Sequence, residues 1–242
     1  MKEVELETIE DYLKLIKQHK DVNIREGNLR DFVFRGQMAD YPLLPKICRL
    51  KPIGDLLEIE QVLLQEFKRS NPLLIQQHRP MDDWDYLTIG QHFGLPTRLL
   101  DWSNNALTAL WFATAIHHSE CLPAQPYSVV WILMARNEDF ALDIEAVHPF
   151  EVQETKIVRP RIIKQRINNQ SGVFTIPSSR EMREARNLDQ TDSYSEKLIK
   201  VKIPSERIPD MREELNTLGV NAFSIFPELE GLCSFLQWRY FQ

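Results

Sequence analysis

Residues 127–134, Tyr-Ser-Val-Val-Trp-Ile-Leu-Met, carry no charge and are mostly β-branched or aromatic. An uncharged run this short suits a strand better than a helix. Its continuity, without polar alternation, requires cover on both faces. The chain therefore needs a central strand with packed layers on each side. Helical periodicity supplies candidates for those layers. Leu6, Ile9, Leu13 and Ile16 predict an N-terminal helix over about 5–20. Leu56, Ile59, Leu63 and Phe67 predict a second helix, capped by Asp55 and running to about Arg69. A third is expected from about Asp83 to Phe93, ended by Gly94-Leu95-Pro96. A fourth, apolar helix starts at a cap on Asn104 or Asn105 and ends near His117.

Further strands are expected at Asp31–Phe34, Gly172–Ile176, Leu198–Ile203 and Ala222–Phe226. Short helices are expected at Arg161–Asn169, from Ser205 or Pro209 to Leu218, and over Glu228–Phe235. The polar stretch from about 178 to 195 reads as a flexible loop, with a helical alternative over Glu181–Leu188. No repeat or composition break divides the chain. The expected fold is α+β, one domain over 1–242, with a central mixed or antiparallel sheet flanked by helices.

Bulk properties exclude several classes. The chain has 242 residues, 43% hydrophobic and 26% charged, values that support a core rather than disorder. Cys48, Cys121 and Cys233 are odd in number and widely spaced, which argues against a disulfide framework or a zinc knuckle and favours a reducing, cytoplasmic setting. The acidic start, Met1 to Glu5, is not a signal peptide. The longest apolar run, Ala106 to Ile116, is too short to span a bilayer, so no membrane partner is expected. The net charge of −6 gives no global basic face for nucleic acid. Locally, Lys156, Arg159, Arg161, Lys164, Arg166, Arg180, Arg183 and Arg186 face only Glu181 and Glu184 in sequence. That segment can meet phosphates, although a solvated face is the commoner use of such a pattern.

Three constellations carry chemistry. Phe34-Arg35-Gly36-Gln37 puts an arginine at the end of a buried strand. Guanidinium plus amide suits paired hydrogen bonds to phosphate or carboxylate. The competing use of Arg35 is a structural ion pair with a carboxylate such as Asp101. The second constellation, Gln91 to Asn105, concentrates His92, Thr97, Arg98, Asp101, Trp102 and Asn105 among glycine, proline and leucines. Asp101 has a structural alternative too, capping a turn or pairing Arg98. The third, Arg166 to Thr175, is a basic, amide-rich turn containing Gln170 that leads into a strand.

These segments together resemble the FRG domain, a bacterial family named for its Phe-Arg-Gly motif. The resemblance rests on Phe34 to Gln37, on Gln91 to Asn105 followed by Ala109-Leu110-Trp111-Phe112-Ala113, and on Arg166 to Phe174. Phe226 to Leu232 resembles the family's closing motif. The order of motifs is also similar to that of ADP-ribosyltransferase-like domains, although the chain lacks an S-T-S sequence and a clearly placed catalytic glutamate. That likeness implies a nucleotide site, with NAD as substrate. Arg35, Gln37, Thr97, Arg98, Trp102, Asn105 and Gln170 would bind it, with Trp102 or Phe93 as the aromatic wall for nicotinamide. His92, Asp101, Glu228 and Glu230 are the candidate catalytic groups.

The alternatives come from other classes. One is a module that binds a nucleotide or nucleic acid without turnover, using Arg35, Gln37, Arg98 and Gln170. The other is a metal-dependent nuclease built on Asp143 and Glu154-Thr155-Lys156, a spacing that arises easily by chance among 35 acidic residues. No metal site is otherwise suggested, and adjacent His117 and His118 point to different helix faces. No Gly-x-Ser-x-Gly elbow suggests a hydrolase.

Overall fold

A computed structural model describes residues 1–25, 32–70, 80–115, 126–141, 147–161 and 172–241. It contains strands β1 (Lys2–Glu5), β2 (Phe32–Gln37), β3 (Leu100–Ser103), β4 (Tyr127–Met134), β5 (Lys156–Val158), β6 (Gly172–Ile176) and β7 (Leu198–Pro204). Its helices are α1 (Ile9–Arg25), α2 (Leu56–Ser70), α3 (Asp83–His92), α4 (Ala106–Ala113), α5 (Ser179–Arg183), α6 (Ile208–Thr217), α7 (Ala222–Ile225) and α8 (Leu229–Tyr240).

The strands form one seven-stranded sheet in the order β1-β7-β4-β2-β3-β6-β5. It is mixed: β1 pairs β7 in parallel and the remaining neighbours are antiparallel. The uncharged run over 127–134 is the central strand, and its two faces feed different cores. Val130 and Ile132 pack with Phe32, Phe34 and the apolar faces of α1, α4 and α6. Val129, Trp131 and Leu133 pack on the opposite side with Val33, Leu100, Trp102 and Tyr194. A third cluster joins Leu64 of α2 and Leu87 of α3 to Leu99, Phe174 and Ile176. Around β2 and β3, Leu99, Leu100, Ala109, Leu110, Val130 and Ile132 are buried, while Phe112 is half-buried.

Gly36 fixes how α4 meets the sheet. A Cβ there would lie 1.8 Å from the Ala109 carbonyl oxygen, so only glycine lets this helix lie directly on β2. Asn105 starts α4, its Oδ1 accepting from Leu107 N at 2.9 Å and Thr108 N at 3.2 Å. α4 ends at Ala113, with Thr114 as its C-cap, short of the expected His117, which lies outside the described residues along with His118 and Cys121.

Some expectations change. Ala222 to Ile225 is a helix, not a strand. Its alternating pattern reads as β, but Asn221 Oδ1 accepts from Phe223 N and Ser224 N, both at 3.1 Å, while Asn221 N donates to Ser224 Oγ. That reciprocal cap starts a helical turn with Ile225 buried. β1 and β5 are additional edge strands, too short and too charged to stand out in sequence. The stretch 178–195 is built of α5 and turns, with Met182, Leu188, Thr191 and Tyr194 buried. The helix expected at Arg161–Asn169 lies almost wholly outside the described residues.

Candidate functional site

β2 and β3 bridge at one position only, Phe34 opposite Ser103. Past that point the ladder stops and a cleft of about 350 Å³ opens. Its floor comes from β2, β3 and β6, where Asp101 lies opposite Phe174 and Ser103 opposite Gly172. One wall is α3, through Thr88, Gln91 and His92; the other is α4, through Ala109 and Phe112. Thr88, Gln91 and His92 stand at helical spacing on one face of α3.

Arg35 lies where the ladder ends. Its Nη1 donates to the backbone carbonyl of Asp101 at 2.7 Å and sits 3.9 Å from Asp101 Oδ2. Its side chain keeps 17% of its surface exposed. Its Nε is buried with no hydrogen-bond partner among the described residues. Burial lowers the Arg35 pKa from its ordinary value, Asp101 opposes that shift, and nearby Arg49 adds to it. An arginine remains protonated under such pressure. The cleft therefore holds a charge only partly answered by the described residues.

Asp101 is half open to solvent, with 56% of its side chain exposed. A short relay orients it. Thr97 Oγ1 accepts from Leu99 N at 3.1 Å and donates its proton to Gln91 Oε1 at 2.7 Å. This fixes the Gln91 amide so that Nε2 donates to Asp101 Oδ2 at 2.7 Å. Gln91 is thus a positioning group that the choice of site residues passed over. Thr88, Ser103, Phe112 and Phe174 were passed over too. The helical spacing of Thr88, Gln91 and His92 was the signal that could have found part of this set.

The expected site residues divide. Arg35, His92 and Asp101 converge on the cleft. Thr97 is buried one side chain behind it, acting through Gln91. Trp102 borders the cleft, but its ring is buried in the core and its Nε1 donates to Thr175 Oγ1 at 3.1 Å, so it cannot serve as an open stacking wall. Phe93 is 65% exposed and packs edge-on against His92, outside the lining. Phe34 and Phe174 also border the cleft but are as buried as Trp102, so Phe112, half-buried, is the phenylalanine of the lining with ring surface left to offer.

Gln37 lies under the sheet, its side-chain oxygen accepting from Trp131 Nε1 at 2.9 Å. Asn105 is spent on capping α4. Arg98 is buried in the core, its Nε donating to Glu60 Oε1 at 2.8 Å, its Nη2 to Glu60 Oε2, and its Nη1 to the Pro149 carbonyl at 3.2 Å. It also lies over the Phe150 ring. Its partner is therefore Glu60 and not Asp101. Glu228 and Glu230 line a different groove, beside α8. Gln170 and Arg166 lie outside the described residues.

The basic segment is largely neutralised where it is described. Lys156 pairs Glu154, Arg161 pairs Asp82 and Asp85, Arg180 and Arg186 pair Glu184, and Arg183 pairs Asp55. Among the described residues no cluster of three metal-ligating side chains occurs; Asp143 is outside them, and Glu154 is engaged by Lys156. Among the described residues, no helix is long and apolar enough to cross a membrane.

The motif residues that build this cleft fall within a family match. Residues 30–121 match the FRG domain model. Over that stretch the chain matches the FRG domain. β2, α3, β3 and α4, the elements that supply most of the cleft, lie inside the matched region, while β6 closes the cleft from beyond it. No curated protein and no solved structure matches the chain.

Proposed function

We propose that the FRG-domain cleft binds a nucleotide, with NAD⁺ as the candidate, and that Asp101 acts on the ribose it holds. The observation that carries this reading is Arg35. It is a mostly buried guanidinium at a cleft wall, with a single hydrogen bond among the described residues. Such a group is stabilised by an anionic ligand with charge-assisted hydrogen bonds. The cleft's volume, about 350 Å³, sits at the low end of the roughly 300–1,000 Å³ range of small-molecule pockets, so it suits one nucleoside half of a dinucleotide. Phe112, half-buried on the α4 wall, offers apolar surface for a planar ring.

Cleavage of a nicotinamide–ribose bond passes through an oxocarbenium-like state, which a nearby carboxylate stabilises. Among the described residues Asp101 is the one carboxylate on the cleft lining, and Gln91 fixes its direction. A second reading, binding without turnover, has its own support. Asp101 Oδ2 is already held by Gln91 and faces Arg35, which suits a structural carboxylate as well as a catalytic one.

Nicotinamide release by wild type and by Asp101→Asn separates the two. The transferase or glycohydrolase reading expects wild-type release that the substitution slows strongly while NAD⁺ binding is nearly kept, because only transition-state stabilisation is removed. Binding by both proteins without release by either leaves the binding module.

A further inference from the structure

The C-terminal quarter of the chain holds a larger cavity that the cleft does not use. A groove of about 790 Å³ runs between α6 and α8, with α7 at its end. Its floor is aromatic: Trp111 and Phe226 meet edge-on with centroids 5.6 Å apart. Phe235 and Trp238 of α8 stack at 6.5 Å along one side. Asp210 and Glu213 from α6 stand on one rim, and Glu228 and Glu230 at the start of α8 stand on the other. All four carboxylates are exposed and make no ion pair among the described residues.

Among the described residues, the one cation lining the groove does not answer them. Arg212 lies over the Trp111 ring at 4.9 Å, and its Nη1 is buried with no hydrogen-bond partner among the described residues. Among the described residues the groove thus carries four carboxylates against one arginine turned onto its floor. α8 itself is apolar around much of its circumference, and Gly231 is its one buried residue among those described. Leu229 is 80% exposed and Tyr240 67%, beside a 76% exposed Phe241. Exposed apolar surface on this scale, rimmed by charge, marks an interaction site.

We infer that this groove docks a basic amphipathic helix from a partner protein. Its apolar face would lie on Trp111, Phe226 and Trp238, and its lysines or arginines would meet the carboxylates on the two rims. An aromatic floor between acidic rims is complementary to that chemistry and repels an acidic helix. The inference is independent of the nucleotide reading, since no residue lines both cavities.

The test is fluorescence anisotropy on the full chain with a labelled helical peptide of about five turns made of leucine and lysine, and with its leucine–glutamate counterpart. The lysine peptide is expected to bind and to weaken as salt rises. The paired change Glu213→Lys and Glu230→Lys is expected to weaken it by about tenfold or more, because it replaces attraction with like-charge contact on both rims. Trp238→Ala should weaken binding at any salt. Glu213 and Glu230 are exposed and Trp238 is half-buried, so circular dichroism of each variant checks that the fold stays intact. Equal binding of both peptides, or indifference to the charge reversal in a folded variant, overturns the inference. So does a concentration-dependent dimer in sedimentation that Leu236→Asp abolishes, because a second copy would then be the occupant. Binding to zwitterionic vesicles in place of the peptide overturns it as well.

Discussion

Arg98 and Arg35 are both withdrawn from water, and they differ in what each meets there. Arg98 is enclosed on every side. Glu60 takes two of its N–H groups, the Pro149 carbonyl takes another, and the Phe150 ring covers its face. Arg35 meets one backbone carbonyl, a carboxylate 3.9 Å away and open space. A buried ion pair with its hydrogen bonds complete is a structural device that holds α2 against the loop before β3. A buried cation with bonds left over, beside a cleft, is poised for a ligand. Two arginines from adjoining motifs thus have different work, and the difference lies in their partners.

The comparison can be broken first at the structural end. Glu60→Ala should destabilise the protein by about 3–5 kcal/mol in urea denaturation, because it leaves Arg98 charged and buried without a counter-ion. Replacing both residues together, Glu60→Leu with Arg98→Met, should restore most of that loss. If Glu60→Ala alone costs nothing measurable, Arg98 has other partners and the contrast with Arg35 fails.

Gly36→Ala tests the geometry that opens the cleft. Its Cβ would strike the Ala109 carbonyl at 1.8 Å, and both groups are backbone, so neither can swing aside. A loss of about 3 kcal/mol is expected in thermal or chemical unfolding, the upper end for overpacking. A neutral result would mean that α4 does not lie on β2 as described.

The smallest effect sharpens the Arg35 side. Thr97→Val keeps shape and removes the hydroxyl that orients Gln91. A stability loss of about 1–2 kcal/mol is expected, because Thr97 Oγ1 makes two hydrogen bonds, to Gln91 and from the Leu99 N–H. Activity or ligand affinity that depends on Asp101 should fall along with it, and Gln91→Glu, which loses the amide donor, should reproduce that fall. An unchanged cleft in both variants would show that Asp101 needs no positioning.

Much of this organisation was legible where the signal is local. The strand over 127–134, the Asn105 cap of α4 and the Gly94 turn after α3, with φ of 87°, follow from short-range chemistry. Asn221 was local as well, but its cap competes with a β-like alternation over 222–226, and the cap wins. Partnerships across the chain were not legible. Glu60 reads as a polar position on a helix whose apolar face runs through Leu56, Ile59, Leu63 and Phe67, yet it and Leu64 are the most buried residues of α2 because Arg98 arrives from elsewhere. For the same reason the motif around Asp101 marked the right segment while mixing scaffold with site. Spacing alone does not tell that Thr97 supports, Arg98 anchors, and Asp101 faces the open cleft.

Isothermal titration calorimetry with NAD⁺ on wild type and on Arg35→Ala tests the central claim most directly. Arg35→Ala should fold at least as well as wild type, since it removes a buried charge with few bonds. The account predicts wild-type binding that the substitution weakens by roughly 1.5–3 kcal/mol, the scale of a charged hydrogen bond. No heat from wild type at millimolar NAD⁺, or equal affinity in the folded variant, would contradict it.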